Sequence, residues 1–265
     1  MPSKSRQRQL SKQAAKRQAE RRRQRRKRII AITVVLALVF ALGGTVAAVV
    51  LAGGSSPTPK PSPSVARAAC GAVTPNASTV VGLFNGKYKK PPAMSIDTKK
   101  KYQWTLQTSC GTIEVSLDPA TAPNTVNSIV YLTQQGLYNG TTFHRIAQNF
   151  VIQGGDPSGD GTGGPGYTTV DKPPKNAKYP VGTVAMAKGS SDPAGTSGSQ
   201  FFIVTSTSAQ QALAPGGVGH YAIVGRVVRG MDVVNKIAAI PIVGGATDGA
   251  PVEKIYIDSA AVTAG

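Results

Sequence analysis

The sequence predicts a mainly β domain, a closed antiparallel barrel capped by two helices, preceded by a single transmembrane helix. Three observations predict it. From Tyr102 onward the chain breaks into many short runs of alternating apolar and polar residues, joined by Gly-rich connections. Within that region only the stretches 123–136 and 231–237 carry helical spacing. Ahead of them, Ile29 to Ala52 runs 24 residues without a charge.

The head, residues 1–28, is Arg- and Gln-rich with no apolar periodicity, and it reads as disordered and cytoplasmic. Thirteen of the chain's 30 Lys and Arg residues fall there against Glu20 alone, so the head carries +12 of the net +18. The basic balance therefore reports on the head, and no basic-aromatic stripe follows that would take a nucleic acid as partner. As a helix, 29–52 spans about 36 Å, enough to cross a ~30 Å hydrocarbon core. A cleaved signal peptide competes, because Gly53 and Gly54 follow Ala52, but its apolar core is usually only ~7–15 residues. The positive cluster Arg21 to Arg28 places the head inside and the globular part outside the cell membrane.

Residues 53–69 form a Pro/Ser/Gly-rich linker, with Pro57, Pro59, Pro61 and Pro63 stiffening it into an extended spacer. Cys70 and Cys110 are the two cysteines. Outside the membrane they favour a disulfide, with two free thiols as the competing reading. Residues 70–101 have little pattern and stand as an extension of uncertain structure. The domain proper, 102–262, is roughly 160 residues, a size that buries about 70% of its unfolded surface without needing a bridge or a metal.

Within it, Tyr102–Thr108 and Thr112–Leu117 alternate around Ser109, Cys110 and Gly111, which predicts a hairpin. Val126, Ile129, Val130 and Leu132 share one helix face, after Pro123 and before Gly136 as a C′ residue. Strands are predicted at 142–146, 150–153, 184–187, 200–205, 222–227 and 253–257, with a second helix at 231–237. Two of these runs mix aromatic and aliphatic residues with placed polar groups. Val151 and Gln153 share one strand face, as do Gln200 and Phe202, so together they line an apolar depression with a few hydrogen-bonding groups.

The chemistry narrows by exclusion. No Gly-x-Ser-x-Gly elbow accompanies the serines of 190–199, and His144, which alternates with Arg145, reads as a hydrogen-bonded structural histidine. Residues 159–166 are Gly-rich but lack the Gly-Lys-Ser/Thr ending of a phosphate loop. Two histidines remote in sequence from the cysteines predict no metal, and no cofactor is called for. Rotation about a prolyl peptide bond needs neither nucleophile nor titrating base. Its barrier of ~18–20 kcal/mol falls when the ring sits in an apolar pocket and a donor such as Arg145 stabilises the prolyl nitrogen as resonance is lost.

Phe143-His144-Arg145-Ile146, Val151 to Asp156, Gly161 to Gly164, Met186-Ala187, Gly198 to Ile203 and Val224 to Val227, in that order, resemble the signature of the cyclophilin peptidyl-prolyl isomerases. The resemblance covers roughly Tyr102 to Val262. It implies an eight-stranded barrel with two capping helices, prolyl isomerisation, and a shallow groove for extended proline-containing peptides or unfolded chains. It carries the catalytic roles onto Arg145 and Gln153, the proline pocket onto Phe150, Val151, Phe202 and Leu213, and backbone contacts onto Ala187, Lys188 and Gln200, with Tyr221 at the rim. The chain departs at three positions. Val151 stands where many members have methionine, Tyr221 where histidine often lies, and Leu213 where cyclosporin-sensitive members have tryptophan, which implies weakened cyclosporin binding. A non-catalytic module that holds or chaperones proline-containing segments in the same groove is the competing function.

Overall fold

The computed structural model describes Cys70, residues 83–214 and residues 220–265. The chain divides into two units, Met1–Ser62 and Pro63–Gly265, and the described residues belong to the second. The expected head 1–28, membrane helix 29–52 and linker 53–69 lie outside the described residues. Among the described residues, no helix is long and apolar enough to cross a membrane.

The first hairpin forms as the alternation predicts, from Tyr102–Thr108 (β1) and Gly111–Leu117 (β2). Trp104, Leu106, Ile113, Val115 and Leu117 all point inward and are fully buried, each stabilising the fold by about 1.5–3 kcal/mol. Pro123–Gln134 (α1) begins with Pro at its first turn and ends before Gly136, whose φ of +78° suits a residue without a Cβ. There follow Thr142–Ala147 (β3), Val151–Asp156 (β4), Thr169–Val170 (β5), Thr183–Met186 (β6), Thr196–Ser197 (β7) and Phe201–Val204 (β8). Thr207–Ala212 (α2), Ile223–Arg229 (β9), Met231–Ala238 (α3), Asp248–Gly249 (β10) and Ile257–Ala264 (β11) complete the chain.

The main sheet runs β10-β3-β4-β8-β6-β9-β2-β1-β11 and every pairing in it is antiparallel. Its far ends meet. Phe143 N–H donates to Ile255 O at 2.9 Å, Ile257 N–H to Thr141 O at 2.8 Å and Gly140 N–H to Ile257 O at 2.7 Å, closing the sheet on itself. Inside, Ile146, Ile152, Ile203 and Val184 form one row across four strands and are fully buried. Around them Phe201 meets Trp104 and Phe143 edge-on, at centroid distances of 4.9 and 5.8 Å. A barrel of this size is filled by its own side chains, so any site must lie on its outside.

Four expectations need correction. The main sheet has nine strands, not eight, because Asp248 and Gly249 pair with Ala147 and Ile146 of β3. A two-residue strand has no periodicity to detect. Second, β5 and β7 form a separate small sheet. Third, the described residues hold three α-helices, since α2 forms on a cap at Ser206, whose hydroxyl accepts from Ala209 N–H at 3.1 Å. Fourth, the last strand is not 253–257. It is Ile257–Ala264, and Gly265 N–H reaches Lys101 O at 2.8 Å, so the fold runs past 262 to the end of the chain.

Within the extension, Gly86 and Tyr88 bond the loop 164–165 through their backbone, and a disulfide joins Cys70 to Cys110, the pairing favoured for cysteines outside a membrane.

Candidate active site

The site grows from the strip β3-β4-β8-β6, whose inner face is the aliphatic row. Arg145 is paired with Gln153, Gln153 with Phe202, and Phe202 with Ala185. Cross-strand partners share a face, so this second row points outward. The register slips between Phe143 and Arg145, leaving His144 as the extra residue of a bulge. Such a bulge re-aims the side chain beside it, and here it sets Arg145 next to Gln153.

Around that row a second apolar cluster gathers outside the barrel, from Val151, Ala185, Phe202, Val204, Ala209 and Leu213 among others. A cavity of about 110 Å³ opens in it, lined by Arg145, Phe150, Val151, Gln153, Ala187, Lys188, Phe202, Leu213 and Tyr221. Nine of the ten residues named from sequence therefore converge on one hollow. The volume is well below the ~300–1,000 Å³ of ligand pockets, and it suits a single side chain. Phe202 and Tyr221 meet edge-on at 5.1 Å, and Tyr221 is fixed by Tyr179, whose hydroxyl donates to Tyr221 O at 2.9 Å. Lys188 lies 5.6 Å from the Tyr221 ring, its ammonium donating to Gly189 O and Asp192 O at 3.2 and 3.1 Å. Leu213 reaches the cavity from the end of α2.

Gln200 is the tenth, and it does not line this cavity. Its Nε2 donates to Gly161 O at 3.0 Å and Gly163 O at 2.8 Å, while its Oε1 accepts from Gln153 Nε2 at 2.9 Å. Both ends of its amide are engaged, so Gln200 clamps the Gly-rich loop to Gln153, with one lone pair of its Oε1 left over. The loop's glycines and Gln200 line a second, adjacent cavity of about 760 Å³.

Arg145 has partners on two sides. Its Nη1 donates to Gln153 Oε1 at 2.9 Å. Its Nε and Nη2 donate to the two carboxylate oxygens of Asp248, each at 2.7 Å. A guanidinium carries five N–H groups, so one on each Nη remains for a bound group. Asp248 escaped sequence reasoning. It lies 103 residues from Arg145, on the two-residue strand β10, and no motif marks it.

His144 departs from its expected role, for both ring nitrogens are buried without a hydrogen-bond partner. Burial pushes the imidazole below its ordinary value of 6.5, against the opposing pull of Asp156. The folded protein thus refuses a proton that the unfolded chain accepts near pH 6.5, so stability is full above that pH and falls as pH drops below it. Denaturant midpoints measured from pH 7.5 to 5 should decline in the native chain and decline less in His144→Gln; equal slopes would contradict the assignment.

A β-barrel bearing an outward apolar hollow the size of one side chain, edged by a held arginine and a paired glutamine, defines the site. The comparisons with known proteins place it further. Residues 104–262 match the family model described as "Cyclophilin type peptidyl-prolyl cis-trans isomerase/CLD". The chain belongs to the cyclophilin family. "Peptidyl-prolyl cis-trans isomerase B" of Streptomyces anulatus is 39% identical over 177 residues, covering 60% of this chain and 94% of the relative. "Probable peptidyl-prolyl cis-trans isomerase B" of Mycobacterium tuberculosis is 38% identical over 168 residues, covering 57% and 51%. The chain thus spans about half the length of the mycobacterial relatives it matches. A crystal structure of a Cryptosporidium parvum cyclophilin type isomerase superposes with a TM-score of 0.53 at 30% identity, over 62% of this chain and 98% of that one. The same protein has been crystallised in the presence of the dipeptide Ala-Pro.

Proposed function

We propose that this protein is a peptidyl-prolyl cis-trans isomerase acting on proline-containing segments of unfolded or folding chains. The single observation that carries the reading is the Arg145–Gln153 pair at the edge of an apolar hollow sized for one side chain. With the proline ring held by Phe150, Val151, Phe202 and Leu213, the two free N–H groups of Arg145 face the reacting amide. As the C–N bond twists, amide resonance is lost and the prolyl nitrogen gains a lone pair that accepts a hydrogen bond. A donor already aimed there favours the twisted state over both planar ones. Gln153 and Asp248 fix the plane of the Arg145 guanidinium. No proton is transferred and no bond is broken.

Magnetisation exchange on a capped Ala-Pro peptide tests this with the full chain. Cis-trans exchange, which unaided takes tens of seconds or more, is expected to accelerate at catalytic protein concentrations. Binding without acceleration would support the non-catalytic holding module instead. Cyclosporin is expected to bind weakly, because Leu213 offers no indole.

The isomerase domain is further read as extracytoplasmic and anchored by residues 29–52. That reading is supported by the charge-free run, by Arg21 to Arg28 on its amino-terminal side, and by the Cys70–Cys110 disulfide, which suits an oxidising compartment. Protease added to intact cells with an accessible surface should remove the domain; full protection there would contradict the topology.

A further inference from the structure

The stretch ahead of the barrel, which carries little pattern in the sequence, is built into the groove. Gly86 N–H donates to Gly164 O at 2.9 Å and Tyr88 N–H to Pro165 O at 2.8 Å. In return, Gly164 N–H donates to Asn85 Oδ1 at 3.1 Å. The approach is close enough that only glycine fits at 166, where φ is +99° and a Cβ would collide with the backbone oxygen of Tyr88. Behind the contact the Tyr88 ring meets Tyr131 and Tyr167 edge-on, at 5.5 and 6.4 Å. Asn127 of α1 holds the next turn, accepting from Ser95 N–H at 3.0 Å and donating to Ala93 O at 3.0 Å. The segment is thus fastened along its length.

Asn85 and Gly86 form part of the wall of the 760 Å³ cavity, which the Gln200 clamp also lines. This cavity and the small apolar one share Gln153, Ala187 and Lys188, so the two open on either side of one ridge. An extended peptide advances ~3.3 Å per residue, and a residue one or two positions from a seated proline crosses that ridge. The lining there mixes apolar surface with the hydrogen-bonding side chains of Asn85, Thr162 and Thr196 and with backbone groups. Its two charged side chains are already engaged. The Lys188 ammonium bonds Gly189 O and Asp192 O, and a carboxylate oxygen of Asp192 accepts from Gly189 N–H at 2.8 Å.

We propose that the segment Asn85–Tyr88 is a specificity-determining wall, which makes the second cavity select a neutral, hydrogen-bonding side chain flanking the proline. The inference rests on the groove binding proline peptides, and it assigns to the extension a role in substrate choice in addition to its packing.

The test compares the full chain with Asn85→Ala and Gly164→Phe, using capped Ala-Pro and peptides that add Gln on one side of it or the other. A Cβ at Gly164 meets nothing within 4 Å, so a larger side chain can start there, and phenylalanine at this lining position adds bulk to the cavity. Exchange rates give kcat/KM and calorimetry gives Kd for every pair. The native chain is expected to prefer one Gln-extended peptide over Ala-Pro by about tenfold, with the preference falling roughly threefold in Asn85→Ala and vanishing in Gly164→Phe. Equal preference in all three proteins overturns the wall while leaving the isomerase reading intact. Loss of preference in Kd with no turnover by any protein overturns the isomerase reading and leaves the wall standing. Absence of peptide binding altogether overturns both.

Discussion

Replacing Arg145 with alanine lowers kcat/KM for a proline peptide by about 10²–10³, the expected cost of removing one preorganised donor aimed at a transition state. The ground-state amide nitrogen, its lone pair delocalised, is a poor acceptor, so peptide affinity should change far less than turnover. Stability should hardly change, because the ion pair with Asp248 is 37% and 51% exposed on its two side chains, and such pairs contribute only about 0–1 kcal/mol. Arg145→Lys should recover little, since an ammonium cannot hold both oxygens of Asp248 and still present two N–H groups. The support is separable from the donor. Asp248→Ala frees the guanidinium to leave its plane, and a roughly tenfold fall in kcat with unchanged melting temperature is expected; Asp248→Asn, which keeps one acceptor, should restore part of it. Wild-type turnover by Arg145→Ala would sink the mechanism, and loss of melting temperature in parallel with kcat in Asp248→Ala would make that residue merely structural.

Most of the groove could be read from the sequence because its residues sit on strands whose alternation is visible. Val151, Gln153 and Phe202 alternate with Ile152, Phe201 and Ile203, and both rows land where period two puts them. What escaped depended on partners. The bulge at His144 exists only in the register between β3 and β4, and Asp248 reaches Arg145 from a two-residue strand. Gln200 was legible as part of the site but not as a clamp, because its partners Gly161 and Gly163 offer only carbonyls, which every residue has. The strand at 257–264 was misplaced since its residues are mostly Ala, Ser and Thr with an exposed outer face, whereas Glu253 to Ile257 alternates more strongly. Helix α2 lacks an apolar stripe, burying Ala209 alone among its residues, so periodicity could not reveal it.

Removing the disulfide, by Cys70→Ser together with Cys110→Ser, should destabilise the domain by about 3 kcal/mol. The bridge spans 40 residues, and the loop-closure entropy withheld from the unfolded chain over that span amounts to ~4 kcal/mol, a value that measured bridges tend to undershoot. For a domain of this size that corresponds to a melting temperature lower by roughly 6–12 °C. The bridge and the groove wall are fastened independently. Cys110 lies in the β1–β2 hairpin, whereas Asn85, Gly86 and Tyr88 bond the loop 164–166 directly. The double variant should therefore melt earlier yet keep the native preference among flanking residues, while Asn85→Ala should lose part of that preference and keep its melting temperature. A melting temperature that does not move would mean that the contacts of Tyr88 and Asn127 alone order the extension. Preference lost together with stability would show instead that the covalent tie holds the wall in place, making substrate choice sensitive to the redox state of its compartment.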